Sequence, residues 1–218
     1  MEYALLGWPP DGPTLRLDHR RFAYAGKFVV SNTGKAVVRW TTEGEEAGAE
    51  GVDGRATAPD GVAYDTDILA AVAFDADRTD DRTLRLRYIT VRSELKGAGV
   101  GPRLAAFVAS KAGRRGYDRV AIAVNNPFAY EAMYKAGFTW TGRESGLAEL
   151  VLERPTGSRE GVSGEAVPDP ERYRAGLDRY RERDLGDPEA SFLAERVGAD
   201  PPDPVDVPDG TTPNDPDA

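Results

Sequence analysis

Apolar residues change their spacing along this chain in step with its turn residues. In TLRLRYITV (83–91), Leu84, Leu86 and Tyr88 fall on one side and Arg85 and Arg87 on the other, the alternation of a half-buried strand. From Tyr88 to Val91 the run becomes uniformly apolar. DILAAVAFD (67–75) and RVAIAV (119–124) are short apolar runs bounded by polar turns and read as buried strands. Between them the period shifts: Leu104, Ala105, Val108 and Ala109 recur at helical spacing and predict a helix over 102–112. A second, shorter helix is predicted over 127–136. Asn126 caps it, and Pro127 takes the first position, where a missing N–H costs nothing. FTWTG (138–142) and LAELVLE (147–153) predict a closing antiparallel pair. From residue 67 the order is strand, strand, helix, strand, helix, strand, strand.

The flanks carry less pattern. Glu2–Leu6 predicts a first strand that stops at Pro9-Pro10. Residues 14–26 fit two readings: a short helix capped by Asp18 and ended by Gly26, or a strand on the alternation of Leu15 and Leu17. KFVVSNTGKAVVRW (27–40) predicts a hairpin turning at Asn32-Thr33-Gly34. Residues 42–63 hold five Gly and six acids with little apolar content, and read as a mobile loop or insertion. After a linker at 154–168, residues 171–185 predict a helix with a Tyr173, Leu177, Tyr180 stripe. A shorter helix starts at Asp187-Pro188 and contains Phe192, Leu193 and Val197. Residues 199–218 contain six Pro, six Asp and no base, and are expected to be a disordered acidic tail. The domain layout is therefore 1–155, with a motif core at 67–153, then a linker and C-terminal helices at 156–198, then the tail.

Composition narrows the chemistry. At 218 residues and 40% hydrophobic, the chain can bury a core of one domain plus an extension. No run reaches the roughly 18 apolar residues of a membrane span. MEYALLGWPP lacks the basic start and cleavage site of a signal peptide, so a soluble cytoplasmic protein is expected. There is no cysteine and one histidine, His19, which removes thiolate nucleophiles and Cys-based zinc sites and predicts no metal. The net charge of −9 is localised: residues 1–155 carry 21 acids and 21 bases, and the excess acid lies beyond them. A neutral body has no basic face for nucleic acid. The 23 Arg against 5 Lys, the absence of Gln and the Asp-rich turns suggest a salt-loving source of haloarchaeal type.

One stretch carries candidate chemistry. ELKGAGVGPRLAA (94–106) joins a strand to a helix, with glycine at 97, 99 and 101. The first N–H groups of a helix lack partners, and its N-terminus is the positive end of the dipole. Glycines let an anion approach them closely. The stretch is not a Walker loop, which needs Lys-Ser or Lys-Thr after its last Gly. It is not a dinucleotide fingerprint either, since it reads G-x-G-x-G. Alone it is a Gly-rich turn; its setting adds meaning. Lys96-Gly97-Ala98-Gly99-Val100-Gly101 at the start of a helix, followed downstream by Asn126, Ala129, Gly137 and Phe138 in an N-x-x-A…G-F frame, resembles the GNAT acetyltransferase superfamily. The likeness covers about residues 67–153.

The resemblance implies a mixed, mostly antiparallel α/β (α+β) sheet with flanking helices and a splayed strand pair that binds CoA. It implies N-acetyl transfer from acetyl-CoA to an amine acceptor by direct attack. On it, Ile89, Thr90 and Val91 would offer backbone groups to the pantetheine arm. Lys96, Gly97, Ala98, Gly99, Val100, Gly101 and Arg103 would hold the pyrophosphate, and Asn126 would lie near the CoA arm. Lys96 stands where the family has Gln or Arg, and Pro102 has no N–H to donate. The general acid is a Tyr four residues before the glycine in much of the family, but here Met133 stands there. Tyr130 lies about 60° from it around the helix and Tyr134 about 100°. Tyr130 is the closer substitute, and Tyr134 replaces it if the helix end is tightened. Arg114-Arg115 could meet the CoA 3′-phosphate. Glu94, Asp75 and Asp77 are the acids nearest the expected groove. The alternative reading is a non-catalytic acyl-CoA-binding or partner-docking module, and both monomer and homodimer stay open.

Overall fold

A computed structural model describes residues 1–41, 55–57, 61, 63–157 and 169–212. Most of the expected loop at 42–63, most of the linker and the end of the tail lie outside the described residues. The strands are β1 (Glu2–Gly7), β2 (Gly34–Arg39), β3 (Arg55–Thr57), β4 (Ala63–Asp65), β5 (Ile68–Ala76), β6 (Thr83–Val91), β7 (Arg119–Val124), β8 (Thr139–Glu144) and β9 (Leu150–Pro155). The helices are α1 (Val100–Arg114), α2 (Pro127–Lys135), α3 (Pro170–Arg181) and α4 (Asp187–Ala194). Seven strands form one mixed, mostly antiparallel sheet in the order β1-β2-β5-β6-β7-β9-β8, and β3 pairs with β4. Only β6 and β7 are paired in parallel among the registers described. The chain divides into two compact units, which β6 and α1 each enter in turn.

The first unit comprises Met1–Asp75, Arg87–Val108 and Pro208–Ala218. β5 is buried from Ile68 to Phe74, which is why its sequence is a continuous apolar run rather than an alternation. Its neighbour β2 pairs antiparallel with both β1 and β5. This overturns the expected hairpin over 27–40. β2 is a central strand with both edges taken, so residues 27–33 have no edge to pair with. Phe28 is buried, whereas Val29 and Val30 are 50% and 44% exposed. Lys35 is fully buried, and its ammonium donates to Val30 O, Thr33 O and Thr33 Oγ1. Burial pushes its pKa down. Residues 14–26 form neither the short helix nor the strand: Asp18 O accepts from Arg21 and Phe22 N–H in a turn, and a 3-10 turn follows at Ala25–Lys27. Leu15, Leu17, Phe22 and Phe28 join Val37 and Ile68 in the core.

The second unit comprises Ala76–Leu86 and Ala109–Val207. Asn126 Oδ1 accepts from the Ala129 N–H at 2.8 Å, the cap expected for α2. Gly137 ends that helix at φ +85°, with Gly137 N–H bonded to Tyr134 O at 2.8 Å and Phe138 N–H to Met133 O at 3.0 Å. This is a Schellman stop, so the Gly-Phe pair is explained by helix termination. Asp169 caps α3 by accepting from the Glu171 and Arg172 N–H groups. The stripe Tyr173, Leu177, Tyr180 is buried, and α3 packs on α2. Glu131 of α2 accepts from Lys135, from the Tyr173 hydroxyl and from Arg196.

The expected disorder of 199–218 does not hold for residues 199–212. Val205 N–H donates to Lys135 O at 2.8 Å in the second unit. In the first unit, Thr211 bridges Ala4 in parallel, with Leu5 N–H to Thr211 O and Thr211 N–H to Tyr3 O both at 2.9 Å. Composition missed this because β1 is a sheet edge, and its free backbone groups accept any chain that meets them, proline-rich or not.

Candidate functional site

β6 leads into the glycine loop. Its parallel register with β7 runs from Thr83↔Arg119 to Leu86↔Ile122, and β6 itself continues to Val91. Thr90 is buried with its Oγ1 unpartnered, one of three such side-chain atoms among the described residues. Ile89 and Val91 are half-buried. A 3-10 turn at Ser93–Leu95 then turns the chain toward α1.

The loop holds its glycines for specific reasons. Gly97 and Gly99 have φ of +84° and +75°, a region that side chains rarely adopt. A Cβ at Gly99 would lie 2.8 Å from Arg103 Nη1, and one at Gly101 would lie 3.3 Å from Val91 Cγ2. The backbone N–H groups of Lys96, Ala98 and Arg103 are bonded to Ser93 O, Leu95 O and Gly99 O. Among the described residues, those of Gly97, Gly99, Val100 and Gly101 have no acceptor within the protein. Pro102, next in line, has no N–H. Lys96, Gly97 and Ala98 are exposed, while Val100, Gly101 and Pro102 are buried. The start of α1 thus carries a row of donors without partners among the described residues, exposed at Gly97 and buried by Val100, at the positive end of the helix dipole. Arg103 folds back over it, with Nη1 3.4 Å from Ala98 O. A pyrophosphate fits this cradle: it needs donors rather than side-chain volume, and donors are what the loop presents.

Ile89, Thr90, Val91 and the whole of 96–103 therefore come together in the first unit. Asn126, Tyr130 and Tyr134 lie in the second. Asn126 spends its side-chain oxygen on the α2 cap. Tyr130 is 1% exposed, and its hydroxyl donates to Arg172 O at 2.9 Å and lies 3.3 Å from Tyr173 O. Its ring stacks on Tyr173 and meets Tyr180 edge-on. A Cβ at Gly176 would come within 2.0 Å of that hydroxyl. Burial drives its pKa far up. Tyr130 is thus a packing anchor for α3 and does not fit the proton donor expected of it. The sequence could not show this, because the covering helix lies some 40 residues downstream. Tyr134 is also buried, against the Tyr173 ring at 4.4 Å, and burial raises its pKa. Its hydroxyl has no hydrogen bond among the described residues.

Two of the three candidate acids are committed to cross-strand pairs. Asp75 accepts from Arg87 Nε at 2.7 Å, and Asp77 accepts from Arg85 Nε at 2.8 Å. Glu94 has only a distant partner, Arg21 Nε at 3.8 Å, and both side chains are about half exposed. Trp40, Asp67 and Arg92, which no motif marks, line a cavity with Glu94. Among the described residues there is no group of His, Cys, Asp or Glu able to hold a metal ion, and no helix is long and apolar enough to cross a membrane.

The model of the acetyltransferase (GNAT) family matches residues 28–138. No curated protein matches the chain. Solved structures that match include an N-acetyltransferase from Staphylococcus aureus Mu50, at 14% identity over 57% of this chain and 68% of that one, with a TM-score of 0.40. Tetrahymena GCN5 matches at 13% identity over 64% and 78% of the two chains, with a TM-score of 0.42. A GCN5-related N-acetyltransferase from Kribbella flavida matches at 19% identity over 56% and 67%, with a TM-score of 0.38. At these identities and scores the weight rests on the family match.

Proposed function

This chain belongs to the GNAT acetyltransferase family, and from that premise we propose that it moves an acetyl group from acetyl-CoA to a primary amine by direct attack. The observation that carries the reading is the cradle of unpartnered N–H groups at Gly97, Gly99, Val100 and Gly101. These donors hold the CoA pyrophosphate, with Lys96 and Arg103 adding charge. The backbone of Ile89–Val91 aligns the pantetheine arm, and an N–H near Val91 receives the oxyanion. The amine nitrogen attacks the thioester carbonyl, the C–S bond breaks as the tetrahedral intermediate collapses, and the amine proton leaves to solvent. Tyr134 is the hydroxyl left to protonate the departing sulfur, since Met133 has none and Tyr130 is sealed. Burial raises its pKa, so the hydroxyl holds its proton at neutral pH and must be helped to release it by the charge growing on the sulfur.

One observation favours a second reading, an acyl-CoA-binding module without turnover: the family's tyrosine position is a buried methionine. The two are separated by a thermal-shift and turnover experiment. Acetyl-CoA at 100 times its Kd should stabilise the protein by about 2.7 kcal/mol on either reading. Consumption of acetyl-CoA against a panel of amines, run at low and molar salt to test the Arg-for-Lys bias, supports the enzyme. Stabilisation with no turnover on any amine supports the module. No response to any CoA species overturns both.

A further inference from the structure

Beyond the glycine loop, the first unit has a cavity of about 480 Å3 lined by Trp40, Thr66, Asp67, Leu69, Arg92 and Glu94, with Leu95 at its edge. That volume is in the range of small-molecule sites. Its walls are fixed by backbone. Trp40 N–H donates to Asp67 O at 3.0 Å and Arg92 N–H to Leu69 O at 2.9 Å, which holds the ends of β2, β5 and β6 side by side. We propose that this cavity is an anchoring subsite for an organic cation of the alkyl diamine class, gripped by the Trp40 indole and the Glu94 and Asp67 carboxylates.

The charge and chemistry of the lining decide the ligand. Arg92 is the cation of the wall, and it is already spent: Nε donates to Ile68 O at 2.8 Å and Nη2 to Thr66 O. An anion would meet a guanidinium engaged with carbonyls and two carboxylates. Both carboxylates attract Arg92, and Glu94 is the less committed of the two. Arg39 Nε sits 3.3 Å from Asp67 Oδ2 yet makes no hydrogen bond, and Arg21 reaches Glu94 only at 3.8 Å across exposed surface. Trp40 is 61% exposed, a large indole face left in water beside them. Indole is the best of the aromatic faces for a cation. Glu94 and Leu95 directly precede Lys96, so the subsite adjoins the phosphate loop along the chain. The inference rests on the acetyl-transfer reading only in naming the bound diamine an acceptor.

The test titrates the full chain, without CoA, with 1,4-diaminobutane by calorimetry, using succinate and 1,4-butanediol as controls. The expected result is saturable binding of the diamine alone. Trp40→Ala should weaken it about fivefold or more, and Glu94→Gln should weaken it as well. Asp67→Asn serves as the second lining variant if Trp40→Ala fails to fold on thermal melting. No saturable binding, equal affinity in the lining variants, or equal binding of succinate overturns the proposal. Acetyl-CoA stabilisation is measured on the same samples. Diamine binding without a CoA response leaves this subsite standing and removes the acetyltransferase reading; a CoA response without diamine binding does the reverse.

Discussion

α1 and α2 begin in opposite ways. α2 opens on Asn126, whose side chain accepts from Ala129 N–H, with Pro127 removing one of the other free donors. α1 opens on a run of glycines whose N–H groups find no acceptor among the described residues. A helix normally satisfies its first donors from its own sequence, because each one left dry costs free energy. On α1 they are left to solvent or to a ligand. The faces differ in the same sense: the Lys96–Ala98 surface is exposed, whereas α2 is shut under α3 by Tyr130, Tyr173 and Glu131. The uncapped start of α1, against the capped start of α2, is the contrast on which the proposed CoA contact rests.

The comparison can be broken at its strongest point first. Gly99→Asp puts a negative charge and a Cβ into the cradle at positive φ. It should cost two or more charge-assisted hydrogen bonds at about 1.5–3 kcal/mol each, a loss of CoA affinity of about 100-fold or more by calorimetry. Unchanged affinity would make the loop a turn. The tyrosines come next. Tyr134→Phe should lower kcat by about 100-fold with little change in melting temperature. Tyr130→Phe should leave kcat intact and cost about 1–2 kcal/mol of stability, because a buried hydroxyl bond to Arg172 O is lost. Reversed outcomes would return Tyr130 to the chemistry.

Acid should open the sealed side. Burial pushes the Glu131 carboxyl up, but hydrogen bonds from Arg196, Lys135 and Tyr173 outweigh it and hold the pKa at about 2, against 4.5 for a free glutamate. Its folded pKa is depressed, so its stabilisation is complete above about pH 4.5 and is lost as pH falls toward 2. Denaturant titrations across that window should show stability falling in the native chain and a flatter profile in Glu131→Gln. The smallest effect is at the α2 cap. Asn126→Ala should cost about 1 kcal/mol and leave CoA affinity unchanged, since that oxygen serves a helix.

Much of this was legible in the sequence where one element decided the outcome. Strands 83–91 and 119–124 matched their predicted bounds, because alternation and apolar runs report burial directly. The cap at Asn126 is a local backbone fact, set within a few residues, and so is the stop at Gly137, which the sequence showed only as half of a motif. The hairpin over 27–40 failed because β2 takes β1 and β5 as its neighbours, strands that lie elsewhere along the chain and leave no edge for residues 27–33. The burial of Tyr130 was not legible, because helical angles say which side chains share a face and not what covers that face.

The sequence by itself determined the buried runs, two strand spans and the α2 cap, since these follow from steric limits and hydrogen-bond partners close along the chain. Tertiary structure alone decided the rest. It sealed Tyr130, laid Thr211 along β1 and brought Trp40, Asp67 and Glu94 around one cavity. Those contacts join residues 27 to more than 200 positions apart. Strand order and helix docking choose such pairs by burial over the whole fold, and no local pattern encodes that choice.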